Sequence, residues 1–187
     1  MNTRSERGFT LAELLVAMAI GAVSLSIGVP SYTAFVRNTH QVTSTNELVS
    51  SLHFARELAI TRNARVTLCP SADGATCAAG GAWNGGWIVF VDTNGDHQVN
   101  GGETVERAVR KVEAPSVQSV TFGDYLIYRP NGRVMGASIT DNTGELTFCD
   151  DRGAAHARVL IIDVSGRPRV SDLTANGSTP TCPVVSG

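Results

Sequence analysis

The chain has 187 residues, 42% of them hydrophobic, 17% charged and 6% aromatic, with 19 Gly, 7 Pro and a formal net charge of −2. That length holds one ordinary domain with a core of its own, and the balance of apolar to charged residues excludes a disordered chain. A charge so near zero gives no global attraction for nucleic acid, so any such role must rest on a local patch. The basic residues are uneven in kind, since Lys111 is the one lysine among 15 cations.

Most of the apolar content lies near the N-terminus. Residues 9–29 read FTLAELLVAMAIGAVSLSIGV, with Glu13 as the one charge. As a helix this run is ~31 Å long, matching a ~30 Å hydrocarbon core. Arg4 and Arg7 precede it and favour a cytoplasmic N-terminus. No small-residue cleavage site of the secretory kind follows it, so a retained span is expected rather than a signal peptide. A carboxylate inside such a span marks a functional position, unless it snorkels to the interface.

The segment Arg7-Gly8-Phe9-Thr10-Leu11-Ala12-Glu13-Leu14 resembles the processing site of type IV prepilins and type II secretion pseudopilins. The resemblance implies a leader over 1–8, cleavage between Gly8 and Phe9 by the prepilin peptidase, and methylation of the new Phe9 amine. Glu13 then becomes the fifth residue of the mature chain and Pro30 the twenty-second. In a bundle of such helices the Glu13 carboxylate is expected to pair with the Phe9 amine of a neighbour, which offsets two desolvation costs and fixes register. The expected domain plan is a transmembrane and fibre-core helix over 9–30, an amphipathic second half over 31–63, and a β-rich head over 64–187. The precursor would be a single-pass inner-membrane protein with a periplasmic head, later part of a pilus.

Beyond Pro30 the pattern turns amphipathic. Leu48, Leu52, Ala55 and Ala59 fall at helical spacing with Arg56, Glu57 and Arg62 elsewhere around the helix. A continuous helix to about residue 61 would be ~80 Å long, with Gly28 and Pro30 as its natural kink. From residue 64 the signals are short strands at 65–68, 87–91, 104–111, 117–122, 125–129, 133–135, 145–149 and 158–164, with Pro130-Asn131-Gly132 and Ser165-Gly166 as turns. The expected fold class is α+β, a type IV pilin fold with a long N-terminal helix packed on an antiparallel sheet. The tail from 174 to 187 is turn-rich enough to be partly loose. The Leu68-Cys69-Pro70-Ser71 segment, the Trp87–Asp92 strand and its Asp/Asn/Gly-rich turn together resemble the GspH/FimT-like group of minor pilins and pseudopilins.

Four cysteines, Cys69, Cys77, Cys149 and Cys182, include no C-x-x-C pair, which argues against structural zinc. In an oxidising compartment an even count reads as disulfides with three open connectivities. The sequence-local one, Cys69–Cys77 with Cys149–Cys182, closes the more modest loops. The stretch from Asp92 to Glu103 puts oxygens at Asp92, Asn94, Asp96, Asn100 and Glu103, the layout of an EF-hand calcium loop. His97 holds the position normally given to glycine, and no flanking helices are evident. The plainer reading is a turn built from residues that tolerate turn geometry. Trp83 and Trp87 are expected to pack the head. No catalytic motif is present, the four histidines are scattered, and neither a cofactor nor an enzymatic activity is expected.

Val164-Ser165-Gly166-Arg167-Pro168-Arg169-Val170 is the sharpest feature of the head. Gly166 supplies a turn, Pro168 blocks ladder hydrogen bonding, and Arg167 and Arg169 project from one side of an extended segment. Planar guanidinium groups suit bidentate phosphate contacts. The stretch resembles the G-R-x-R motif of FimT-type minor pilins that bind DNA during natural transformation, which implies that Gly166, Arg167 and Arg169 contact double-stranded DNA. Arg152 and Arg158 are further candidates to extend the patch, with no motif behind them. The alternative is an edge strand protected from self-pairing by Arg and Pro, in a structural subunit that primes or caps a pilus or a secretion pseudopilus. Partners implied are other major and minor pilins, the prepilin peptidase, the inner membrane and double-stranded DNA.

Overall fold

The computed structural model describes residues 9–80, 83–112, 116–119, 121–138 and 140–182. Chain contacts divide the protein into two compact units, Met1–Thr39 and His40–Gly187. Helix α1 (Leu11–Arg62) contributes to both. In the first unit its large apolar side chains stand exposed all around the helix, from Leu14 and Met18 to Leu25 and Phe35. A helix apolar on every face belongs inside a large core or a membrane, not in water. Gly28 and Pro30, read as a kink, lie within unbroken α-helix. Pro30 cannot donate to the preceding turn, and its own carbonyl accepts from Thr33 Oγ1 at 2.9 Å.

In the second unit the strands among the described residues are β1 (Val66–Pro70), β2 (Gly86–Val91), β3 (Val105–Arg110), β4 (Ser116–Ser119), β5 (Leu126–Tyr128), β6 (Val134–Met135), β7 (Gly144–Cys149), β8 (Arg158–Ile162) and β9 (Pro168–Ser171). They build two antiparallel sheets rather than the single one expected, in the orders β3-β2-β1-β5-β6 and β4-β7-β8-β9. The helical stripe Leu48, Leu52, Ala55, Leu58 and Ala59 shares one buried cluster with both, including Leu68 and Val89 of one sheet and Phe148, Leu160 and Ile162 of the other. Trp83 and Trp87 are fully buried in this core. The Trp87 indole N–H donates to Ser51 Oγ at 2.9 Å, so the one polar atom of that ring is satisfied inside the core.

The sheets differ from the sequence pattern for a physical reason. All of β1 is buried and nearly all of β2, because the face turned away from α1 is covered as well. There Cys69, Ile88 and Phe90 form a second cluster with Val105 of β3 and with Cys77, Val99 and Tyr125 from the flanking loops. The strand expected over 117–122 is shorter: β4 spans Ser116–Ser119, Val120 lies outside the described residues, and Phe122 lies in a bend with its side chain in the core.

Cys69 is bonded to Cys77 and Cys149 to Cys182, with Cα separations of 5.6 and 5.8 Å. The second bond, with the Ala175 N–H donating to Glu145 Oε2 at 2.9 Å, holds the tail against the face of β7 turned from α1. A turn closed by Thr174 and Ser178 adds to this order. The tail expected to be loose is therefore anchored as far as Cys182, and residues 183–187 lie outside the described residues.

Candidate functional site

The helix start comes first in the chain. Gly8 lies outside the described residues, and Phe9 is 88% exposed just before α1. Thr10 and Glu13 form a reciprocal cap. The Glu13 N–H donates to Thr10 Oγ1 at 3.3 Å, while Glu13 Oε2 accepts from the Thr10 N–H and hydroxyl, each at 3.2 Å. This is the capping-box arrangement of Thr-x-x-Glu, which closes donors that a helix end leaves open. The sequence reading gave Glu13 an intersubunit role and overlooked this local one.

The loop between β2 and β3 does bring carboxylates together. Ligand oxygens of Asp92, Asp96 and Glu103 lie within 4.8 Å of one another. His97 adopts φ +64°, the conformation its place in the loop requires. The loop is also closed by its own donors. Asp92 is buried and accepts from Thr67 Oγ1, the Gly95 N–H and the His97 N–H. Asp96 accepts from the Asn94 and Asn100 amides, and Glu103 from the Thr93 and Asn100 N–H groups. The Asn100 and Gln98 donors hold the Asp96 carboxyl below its ordinary range. Apart from the Thr67 hydroxyl, which reaches Asp92 from β1, these are contacts that such a loop makes within itself without an ion.

The arginine turn joins β8 to β9. Asp163 caps it: its carboxylate accepts from the Ser165 hydroxyl, the Ser165 N–H and, at 3.4 Å, the Arg167 N–H. The Ser165 hydroxyl is the main reason this carboxyl sits below its usual range, with the Arg167 charge adding to it. Gly166 is buried at φ +74°, and a Cβ there would lie 2.3 Å from the Gly132 carbonyl oxygen and 2.9 Å from the Tyr128 ring. Only glycine fits this position, on both conformational and steric grounds. The Gly166 carbonyl accepts from the buried Tyr128 hydroxyl at 2.9 Å. Burial pushes the Tyr128 phenol far above its normal range, so it remains a donor.

Arg167 and Arg169 are both exposed, and among the described residues no carboxylate forms an ion pair with either guanidinium. Pro168 does not keep the segment out of the sheet. It opens edge strand β9, pairing with Ile162, while Arg169 pairs with Ile161. Proline is tolerated at the first position of an edge strand. Arg169 lines a groove of about 430 Å³ between the sheet and the tail, together with Glu145, Asp163 and Asn176. The two further candidates do not join this site. Arg152 is clamped by Asp150 through Nε at 2.9 Å and Nη2 at 2.6 Å. Arg158 opens β8, at the end of that strand opposite Ile162 and Pro168. Tyr128, Gly132 and Arg56, whose Nε donates to the Gly132 carbonyl at 3.1 Å, support the turn. Only the Asn131-Gly132 turn signal in the sequence hinted at any of them.

A long apolar helix, a β-sheet head stapled by disulfides and a prepilin-type N-terminus define a pilin-class subunit, a structural protein and not an enzyme. A prokaryotic N-terminal methylation motif matches residues 3–29. Residues 44–166, about two thirds of the chain, match the family described as type II transport protein GspH, and the chain belongs to that family. The match ends at Gly166, so Arg167 and Arg169 lie just past it. Membership implies assembly with other pilins and processing by the prepilin peptidase. The fold is similar to two crystal forms of the type IV minor pilin FimU of Pseudomonas aeruginosa strain PAO1. One aligns with a TM-score of 0.55 at 18% identity over 78% of this chain and 96% of that one. The other gives 0.51 at 15% identity over 75% and 98%. No curated protein matches the chain in sequence.

Proposed function

We propose that this chain is a minor pilin of a type IV pilus that binds extracellular double-stranded DNA for uptake in natural transformation. The leader 1–8 is removed between Gly8 and Phe9, the Phe9 amine is methylated, and the apolar half of α1 holds the precursor in the inner membrane with the head in the periplasm. In the assembled fibre that half of the helix enters the core, and Glu13 pairs with the Phe9 amine of a neighbour. The Glu13→Ala chain is expected to insert and be processed but to enter fibres poorly; normal incorporation would refute the pairing.

One observation carries the DNA reading. Two exposed arginines, neither in an ion pair among the described residues, follow a turn whose backbone is fixed by Asp163, Tyr128 and a sterically required glycine. Such a turn presents guanidinium groups to phosphate at little cost in ordering. With so few phosphate contacts, binding is weak, indifferent to sequence and strongly reduced by salt. A gel shift of the full chain in neutral detergent is expected to show retarded duplex for the wild type and none for Arg167→Gln/Arg169→Gln. Equal behaviour of the two removes the reading. The second reading, a structural minor subunit that primes or caps a pilus or pseudopilus, is favoured by the carboxylates of Glu145 and Asp163 in the same groove as Arg169. It predicts no shift for either protein.

A further inference from the structure

The β5–β6 turn lies directly against the arginine turn. The Gly132 carbonyl oxygen approaches Gly166 so closely that an added Cβ would sit 2.3 Å from it. Arg133 follows Gly132 and Arg167 follows Gly166, and both are exposed. Each is a single ~3.8 Å Cα step from the contact, so their Cα atoms are at most about 14 Å apart. That span is comparable with the grooves of B-DNA, ~6 Å and ~12 Å wide.

We propose that Arg133 is a second DNA-contact residue, so that the two turns act as one phosphate-binding surface. The inference rests on the DNA reading above and extends it to a segment with no arginine motif. The β5–β6 turn is preset for this. The Gly132 N–H donates to the Arg129 carbonyl at 2.8 Å, and the Arg133 N–H donates to Asn131 Oδ1 at 3.0 Å. Arg56 buttresses it from α1 by donating to the Gly132 carbonyl. The surroundings carry an excess of positive charge. The buried Nε of Arg129 has no hydrogen-bond partner among the described residues. Of the nearby carboxylates, Asp163 is occupied by its own turn and Glu57 is exposed, in a hollow it shares with Arg56. A phosphate chain lying across both turns would meet Arg167 and Arg133 together.

The test is the salt dependence of binding. The full chain in neutral detergent is titrated against a fluorescent mixed-sequence duplex between 50 and 200 mM NaCl. Each lost phosphate contact lowers the slope of log K against log salt by ~0.9. Arg133→Gln is expected to weaken binding several-fold and lower the slope by about that much, while Arg133→Lys keeps the slope. Arg110→Gln, at an exposed arginine on edge strand β3, across the same five-stranded sheet from β5 and β6, removes the same charge and is expected to leave the slope unchanged. If Arg133→Gln matches Arg110→Gln while Arg167→Gln/Arg169→Gln abolishes binding, the second contact is refuted and the motif stands. If the wild type does not bind, both readings fall.

Discussion

Replacing Gly166 with alanine tests the architecture of the arginine turn independently of any ligand. The residue sits at φ +74°, where a side chain costs about 1–2 kcal/mol. The new Cβ would also lie 2.3 Å from a backbone oxygen and 2.9 Å from an aromatic carbon, neither of which is the end of a flexible side chain. Relief requires the turn to move, with a packing cost of about 1–3 kcal/mol and loss of the Tyr128 hydrogen bond, ~1 kcal/mol. Together these give about 3–6 kcal/mol, or a fall in Tm of roughly 8–18 °C for a unit of this size. Gly177→Ala is the matched control, because that glycine has φ +82° but open space where the Cβ would stand. It carries the conformational cost alone and is expected to lower Tm by only ~2–5 °C. Thermal unfolding of the full chain in detergent, followed by fluorescence of the buried Trp83 and Trp87, compares the two. Equal shifts would show that the contact with Gly132 and Tyr128 does not constrain the turn.

Three other outcomes follow from the geometry of the head. Ser51→Ala removes the partner of the buried Trp87 indole and is expected to cost about 1–3 kcal/mol in urea unfolding. Replacing Cys149 and Cys182 with serine should cost ~4 kcal/mol, more than the ~2.5 kcal/mol for Cys69 and Cys77, because the loop closed is longer; the separations are 33 and 8 residues. Burial raises the Asp150 carboxyl, but the side-chain and backbone hydrogen bonds of Arg152 and its charge outweigh this and hold it below the ordinary range. A depressed folded value contributes stability above the unfolded pKa of ~3.9 and loses it as pH falls through the folded one. Asp150→Asn is therefore expected to be less stable than the wild type at pH 7 and to lose less stability between pH 5 and pH 2, as measured by urea midpoints.

The parts legible in the sequence were those written in local chemistry. The apolar run and the spacing of Arg7, Gly8, Phe9 and Glu13 needed no long-range information, and the stripe from Leu48 to Ala59 announced its buried face through periodicity alone. Pairing between sheets was not legible. Val66 to Pro70 carries Thr67 where a one-faced strand would turn a polar residue to water, so nothing in it says that a second layer buries that face too. Pro168 read as a block to strand pairing because proline lacks an N–H, and only the sheet order shows that it stands where no donor is needed. The arginine motif was visible, but its supports were not. Tyr128 and Gly132 are more than thirty residues from Gly166, and Arg56 is farther still, on a helix where nothing local marks it from the other charged residues around it.

Under the proposed pairing of Glu13 with the Phe9 amine of a neighbour, the Thr10–Glu13 cap would give assembly the character of an exchange. In the single chain the carboxylate already has partners, so an amine from a neighbouring subunit would compete with donors from its own helix. The free energy of joining is then the difference between two satisfied states, not the full value of a new ion pair. A subunit that leaves the fibre would not strand a bare charge among apolar side chains, because Thr10 remains beside it to receive the oxygen again. Insertion and withdrawal of the helix could then proceed through small steps, with neither direction facing the barrier of an uncompensated carboxylate.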